Sequence, residues 1–405
     1  MAKQTIQTWK VKKMDIKQEG LFHHRSLSDK ERKNLAILEL IRKKGPISRT
    51  EISHITDINI VSISNYVKDY IAKGILVETG CDVSTGGRPP ELVELNAKGL
   101  YAVGLDIGTS NIIATITDFS INAVSKAKIP TPAGNTGEIA LKTIELIWEL
   151  LEKAGVEKGK IKAIGIGASC SNNRFYSTID AVREKFGIDV FMGSDAACAA
   201  FGEKRLNPKA DVEDLLYMYS DVGCGIIIKG DAYFGAGGNA GEIQISHEHI
   251  SKEEELLFFR SSQYLKPWGM DLGIARMAKH EIEKGVGTKI VACAKGDLKN
   301  ISTEVVIEAA KQDDEIAIDI VLHAGMNLGV RIAYLVNLFN PEVVVVGGGV
   351  EKAGELILDP IRKTVKKLAF SGQAGIVKII TSALGEDAVS LGAASLAVRE
   401  IFLKA

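Results

Sequence analysis

The sequence predicts an α/β protein in two parts. A small module of three helices and a β-hairpin comes first, and a large body of alternating strands and helices follows. Three observations carry this prediction. The chain has 405 residues, more than one compact core holds. Residues 29–96 show capped helical periodicities followed by two short alternating runs. From Tyr101 onward, β-branched runs that end in glycine alternate with amphipathic stretches, which is the pattern of an α/β body.

Composition narrows the class. Hydrophobic residues make up 46% and charged residues 25%, which is ordinary globular usage and excludes a low-complexity or collagen-like chain. In this reading no apolar run reaches the roughly 18–20 residues that span a bilayer, and the first thirty residues hold no apolar leader core. The expectation is a cytoplasmic protein with no membrane partner. The five cysteines, Cys81, Cys170, Cys198, Cys224 and Cys293, form no CxxC pair, so they suggest neither a disulfide framework nor a cysteine zinc site. The net charge of −1 hides an asymmetry: residues 1–90 carry +6 and the remainder −7. A basic end on an acidic body suits contact with a polyanion through that end, although a solvated basic tail would look the same.

Residues 1–28 are polar and read as a flexible tail. A helix starts at Asp29, with Leu35, Leu38 and Ile41, joined by Ile37 and Leu40, on its buried side, and Gly45-Pro46 stops it. Ser48-Arg49-Thr50-Glu51 matches the S-x-x-E capping pattern of a short second helix with Ile52 and Ile55 as its apolar side. Asn59 caps a third helix from Ile60 to Lys73, and Gly74 ends it. Residues 75–78 and 91–95 then read as two strands around a polar, glycine-containing tip. That order is a winged helix-turn-helix. The expected partition is a tail at 1–28, this module at 29–96, and the body at 97–405.

In a helix-turn-helix the later helix enters the major groove of DNA and its first turns reach base edges. The outward positions here are Ile60, Val61, Ser62, Asn65 and Lys68. Asparagine reads adenine through two hydrogen bonds, and Ile or Val contacts a thymine methyl. Ser48, Arg49, Thr50 and Asn59 stand where side chains and helix N-termini hold phosphates, and Arg88 at the wing tip is placed for a minor groove. The plain alternative is a docking or dimerisation module of the same shape.

The body is expected to hold buried strands at 102–105, 112–117, 161–166, 215–218, 226–229 and 343–346. Expected helices cover 136–153, 179–185, 253–261, 272–283, 304–311, 315–339 and 388–403. Glycine-bearing turns punctuate it. Asp106, Gly108 and Thr109 follow the first strand, Gly223 opens another, and Val346 runs into Gly347-Gly348-Gly349. Such turns let backbone approach a phosphate closely. Asp195 heads a helix of small residues, where a carboxylate can take a proton from a sugar hydroxyl or simply cap the helix.

Each marker is weak alone, but their order along one chain resembles the ROK family of repressors, open reading frames and kinases. The resemblance runs from about residue 30 to the C-terminus. The stretch Gly45–Glu51, with Gly86-Gly87-Arg88-Pro89-Pro90 ahead of the Asp106 strand, resembles its repressor branch. The resemblance implies an actin-like, hexokinase-like pair of lobes around a cleft, lobe 1 at about 97–200 with 388–405 and lobe 2 at about 201–387. It also implies a homodimer or tetramer, a double-stranded DNA operator, and a sugar or sugar derivative bound near Asn172, Asn173, Asp195 and Glu242. Asp106, Gly108, Thr109, Gly223 and Gly347–Gly349 would be the nucleotide positions.

The departures matter. The family's zinc motif carries a histidine where this chain has Ile245, after Gln244 in place of a glycine, so zinc is not expected. His247 and His249 nearby read as solvated. The second phosphate loop, Gly-Thr-Gly in the family, is Tyr219-Ser220-Asp221 here, and Ser194 replaces the asparagine before Asp195. Phosphoryl transfer depends on positioned donors around the phosphates, so Asp195 stands at the family's catalytic-base position without catalysing. The preferred reading is a transcriptional regulator of carbohydrate genes, a repressor with no required cofactor. The alternative is a glucokinase-like sugar kinase, acting alone or as a bifunctional protein, using ATP and magnesium.

Overall fold

The computed structural model describes residues 27–81, 91–169, 176–219, 223–243 and 273–405. Arg88, Asn172, Asn173, the altered 220–222 loop, the 244–249 region and the helix expected at 253–261 lie outside these residues.

The N-terminal module begins with α1, Asp29–Lys44, whose N-cap Ser28 and Glu31 form a reciprocal capping box. A two-residue strand β1, Ile47–Ser48, precedes α2, Arg49–Thr56, and then α3, Ile60–Ala72. β2, Leu76–Cys81, and β3, Glu91–Leu95, pair antiparallel, and β1 adds to the free side of β3. The sequence reading missed β1, which is too short to show a period. It also misplaced Ile55, which is exposed rather than buried.

The body contains two five-stranded sheets. The first uses β4 (Tyr101–Ile107), β5 (Asn111–Asp118), β6 (Ala123–Pro130), β7 (Ile161–Ala168) and β8 (Asp189–Ser194). The second uses β9 (Leu215–Tyr219), β10 (Gly223–Ile228), β11 (Asp231–Ala232), β12 (Val343–Gly347) and β13 (Lys378–Thr381). Their orders are β6-β5-β4-β7-β8 and β11-β10-β9-β12-β13, so both sheets repeat one topology of three antiparallel strands continued by two parallel ones. Helices α4 (Thr136–Ala154) and α5 (Tyr176–Phe186) accompany the first sheet. Helices α7 (Ile274–Glu283), α8 (Thr303–Lys311), α9 (Glu315–Phe339) and α10 (Glu355–Leu368) accompany the second.

Between the sheets lie α6, Asp195–Leu206, and the C-terminal helix α11, Ala388–Lys404. Both are buried nearly all round, as expected for helices packed on several sides. Glycine makes the close packing possible. A Cβ on Gly104 or Gly165 would strike the α11 backbone at 1.9 and 2.0 Å, and one on Gly225 would strike Ala196 of α6 at 2.0 Å. Where α6 and α11 touch, Gly202 lies against Gly392.

α9 is long and apolar enough to cross a membrane by length and composition, a property the sequence reading did not credit to it. In the fold it is a core helix. Gly325 and Gly329, one turn apart, let α10 approach until Pro360 and Thr364 lie over them, and Ile320, Leu328 and Ile332 are buried.

The module is fastened to the body by a shared core. Ile37, Leu38 and Ile41 of α1 pack with Phe402, Val398 and Phe119. Asn34, fully buried, donates from its amide to the carbonyls of Leu403 and Ala405 at 3.2 and 2.6 Å, and accepts from the Tyr70 hydroxyl at 2.7 Å. A buried amide satisfied by three partners fixes α1, α3 and α11 in one arrangement.

Candidate ligand cleft and DNA-reading face

The cleft opens at the carboxyl ends of the central strands, where α/β sheets hold their ligands. It encloses about 390 Å³, the range of a small-molecule site. Asp106 at the end of β4 and Asp195 at the start of α6 both line it, as do Gly108, Thr109, Gly348 and Gly349. Ser194, not Asp195, is the N-cap of α6: its hydroxyl accepts from Ala197 N–H at 3.1 Å, while Asp195 Oδ1 accepts from Ala196 N–H at 2.7 Å.

Burial pushes the Asp106 carboxyl up to about 8, helped by the nearby Asp195 carboxylate and opposed by Lys128. Burial also raises Asp195, and burial with the Asp195 charge raises Glu242, which bridges to Gly223. The structure therefore brings Asp106, Asp195 and Glu242 into one electrostatic neighbourhood. Asp106 is buried, Asp195 half-buried and Glu242 exposed, and a buried carboxyl such as Asp106 suits hydrogen bonding to neutral hydroxyls more than charge pairing. A pH dependence follows. Between about pH 4 and pH 8 the folded protein keeps a proton on Asp106 that the unfolded chain releases, so stability falls as pH rises through this window. Asp106→Asn is expected to flatten that slope in urea unfolding between about pH 5 and about pH 9, gaining roughly 3 kcal/mol at the upper end. An unchanged slope would show that Asp106 carries no such proton.

The triple glycine differs from an open phosphate cradle. Gly348 and Gly349 have φ of +79° and +100°, but the Gly349 N–H is taken by Glu351 Oε2 at 2.6 Å. Burial raises Glu351, with Glu203 adding to the effect. Asp106, Asp195, Glu304, Glu351 and Glu386 face only Lys128 and Lys352 among the described charged residues of the lining. At its glycine seat a nucleotide triphosphate would meet the Glu351 side chain in place of a free Gly349 N–H, so the seat as it stands does not fit that cofactor. Sequence reasoning missed Glu351, although an acid two residues past the glycines was there to be weighed. Among the described residues, no three His, Cys, Asp or Glu side chains are grouped to hold a metal ion.

Two further residues hold the loop that leads into α11. Glu203, fully buried, accepts from Asn207 Nδ2 at 2.8 Å, from Leu384 N–H at 3.0 Å and from the Ser382 hydroxyl. It clamps the loop that leads into α11. Lys128 of β6 reaches Glu386 in the same loop at 2.9 Å.

On the module, α3 presents Ile60 and Val61 at 44% and 68% exposure, with Asn65 and Lys68 also exposed. Apolar side chains so open at the start of a helix are not serving this chain's core. Asn59 accepts from Ser62 N–H at 2.8 Å as the N-cap, and Thr50 is exposed. Two sequence assignments change. Ser48 is buried and its hydroxyl accepts from Glu51 N–H at 3.2 Å, so it caps α2 rather than facing outward. Arg49 lies between Glu78 at 2.7 Å and Glu91 at 3.0 Å, so its guanidinium ties α2 to the hairpin instead of standing free for a phosphate.

With this geometry in place, comparison decides the lineage: the ROK family model matches residues 102–256 and 281–400. The chain belongs to the ROK family. A putative xylose repressor of Caldicellulosiruptor sp. (strain Rt8B.4) is 29% identical over 385 residues, covering 91% of this chain and 95% of the relative. The DNA-binding transcriptional dual regulator NagC of Escherichia coli (strain K12) is 23% identical, covering 91% and 93%. Among solved structures, a ROK family transcriptional regulator homologous to the E. coli MLC protein matches with a TM-score of 0.74 at 20% identity, over 92% of this chain and 96% of that one. A ROK family glucokinase from Streptomyces griseus, in complex with glucose and AMPPNP, matches with 0.61 at 26% identity, over 73% of this chain and 99% of that one. The two-lobed actin-like fold expected from the sequence is therefore the fold of this chain, and ROK proteins of that fold include kinases as well as regulators.

Proposed function

We propose that this ROK protein is a DNA-binding transcriptional regulator, a repressor of carbohydrate-metabolism genes, whose cleft senses a sugar or related metabolite without phosphorylating it. The observation that carries the reading is the exposed Ile60, Val61, Asn65 and Lys68 face on a module fastened to α11, a helix that starts at the cleft. The names of two relatives matched over more than nine tenths of their length, a putative xylose repressor and a DNA-binding transcriptional dual regulator, support it. In this reading residues 29–96 read the operator, and the lobes at about 97–200 with 388–405 and 201–387 close on the effector beside Asp195 and Glu242. Two copies of the chain, working in the cytoplasm, bind successive half-sites.

α6 and α11 are the route of coupling. Both begin at the cleft, with Asp195 and Val389 in its wall, and both end against α1, with Arg205 and Phe402. A ligand that favours one lobe arrangement shifts operator affinity by its differential binding to the two.

Selection of fragmented genomic DNA on the purified protein, followed by footprinting, tests the function. Enriched palindromic sites are expected. Absence of enrichment together with Asp195-dependent ATP turnover on a sugar would replace the regulator with a kinase. Glu351 gives a separate prediction. Its carboxylate fills the glycine seat, so Glu351→Ala is expected to tighten binding of a fluorescent ADP analogue at least tenfold, as about 1.4 kcal/mol of removed repulsion would. Equal affinities would show that the carboxylate does not guard the loop.

A further inference from the structure

A second cavity, of about 380 Å³, lies at the seam between the N-terminal module and the body. α1 lines one side of it, and α6, the β10–β11 turn and α11 line the other. Its charge is unbalanced. Glu39 is divided between Arg42 at 2.8 Å and the Arg205 guanidinium, and Asp211 between Lys43 at 2.9 Å and Lys204 at 3.5 Å. Arg399 takes Asp231 and, outside the cavity, Glu400. Lys229 makes no ion pair among the described residues. With Glu213, the lining holds six cations and four carboxylates. Counting Glu400 as well still leaves an excess of one positive charge.

Two of these cations are deeply placed. The Arg205 and Arg399 side chains are only 5% and 9% exposed. Burial, and then the neighbouring Arg399 charge, press Arg205 down to about 9. Buried guanidinium groups that repel one another call for a further anion, and paired N–H donors match phosphate oxygens. A phosphomonoester carries about −1.5 to −2 at neutral pH, enough to cover the surplus.

We propose that this seam cavity is a second ligand site, distinct from the cleft, that takes a small phosphomonoester such as a sugar phosphate. Arg205, Arg399, Lys43 and Lys229 would hold the phosphate. Because α1 supplies one wall, a ligand there binds the docked arrangement of module and body and stabilises it by linkage. Only this regulatory consequence rests on the module being the DNA-reading part; binding itself does not.

Calorimetric titration of the full chain with glucose 6-phosphate at constant ionic strength tests the site, with glucose as the uncharged control and inorganic phosphate as a second anion. Saturable binding of glucose 6-phosphate is expected, weaker binding of inorganic phosphate, and no glucose binding that depends on the seam lysines. Lys43→Ala/Lys229→Ala, which alters two exposed side chains, is expected to weaken the ester at least tenfold with an unchanged unfolding temperature. Asp195→Asn in the cleft is expected to leave it unchanged. No saturable binding, binding indifferent to the double substitution, or binding lost in Asp195→Asn would each overturn the proposal. A protein that binds the ester but selects no DNA would refute the regulator and leave the seam site standing.

Discussion

Asn65→Ala is expected to lower affinity for the selected operator by about 10- to 100-fold, the loss of one good bidentate base contact at ~1–3 kcal/mol. Asn65 is exposed one helical turn beyond Val61, and its amide bonds to no described residue of the chain, so both its donor and its acceptor are free to meet a base edge. The loss should be concentrated at one base pair of each half-site, with non-specific binding unchanged. Lys68→Ala should behave differently, weakening all sequences alike and reducing the salt slope by about one. Arg49→Ala provides the contrast. Its guanidinium is held by Glu78 and Glu91, so removing it takes away the cation that ties α2 to the hairpin. The expected result is a uniform loss of binding with no change of preferred sequence. Competition binding against operators varied one base pair at a time, at two salt concentrations, separates the three. If Asn65→Ala lost affinity for every sequence equally, α3 would not be the reading helix.

What the sequence made legible was local. Ser48 and Asn59 cap the helices they were expected to cap, and Gly74 has the left-handed φ of a helix terminus, because capping is decided within a few residues. The 25-residue α9 was delimited at both ends as it stands. Its apolar density decided its extent, though not its place in the core. What escaped depends on distant partners or on mixed polarity. β6 carries Ser125, Lys126 and Lys128 and sits at a sheet edge, so its pattern is not that of a buried strand. α10 contains Pro360, which reads as a break, yet the residue lies in the first half of the helix against Gly325. Asn34 is a polar residue on α1 whose burial depends on Tyr70, 36 residues away, and on the Leu403 and Ala405 carbonyls, about 370 residues away. The repeated topology of the two sheets was invisible, since a sheet order can be shared without shared residues. In the cleft, the glycines and aspartates were legible by type. That Glu351 would fold back onto Gly349 was not, because a two-residue return depends on the φ values of the glycines themselves.

Gly392→Ala should destabilise the whole body by about 3 kcal/mol and weaken operator binding with it. The added Cβ would lie 1.7 Å from the Cys198 carbonyl oxygen and 2.4 Å from its carbon. Both are α6 backbone, which cannot swing aside as the end of a side chain could. The methyl can be accommodated only by moving α11 away from α6, and overpacking of this kind costs about 1–3 kcal/mol or more. Gly202 sets the matching constraint from α6, since its own Cβ would meet Ala388 O at 2.9 Å. The two helices carry the buried contacts of both sheets, so a displacement here reaches Tyr217, Val345 and Phe191 in one shared core. It also reaches α1, because Phe402 and Leu403 lie further along the same helix. Gly372→Ala is the control: nothing lies within 4 Å of its Cβ position and its φ is ordinary, so little change is expected. Calorimetric unfolding of the three proteins, with operator titration of each below its transition, makes the comparison. A Gly392→Ala protein as stable as Gly372→Ala would mean that α6 and α11 can separate freely. A rigid pair of helices would then no longer account for coupling between cleft and module. Loss of stability with undiminished operator affinity would assign the pair to the core alone and move the coupling to the seam between α1 and the β10–β11 turn.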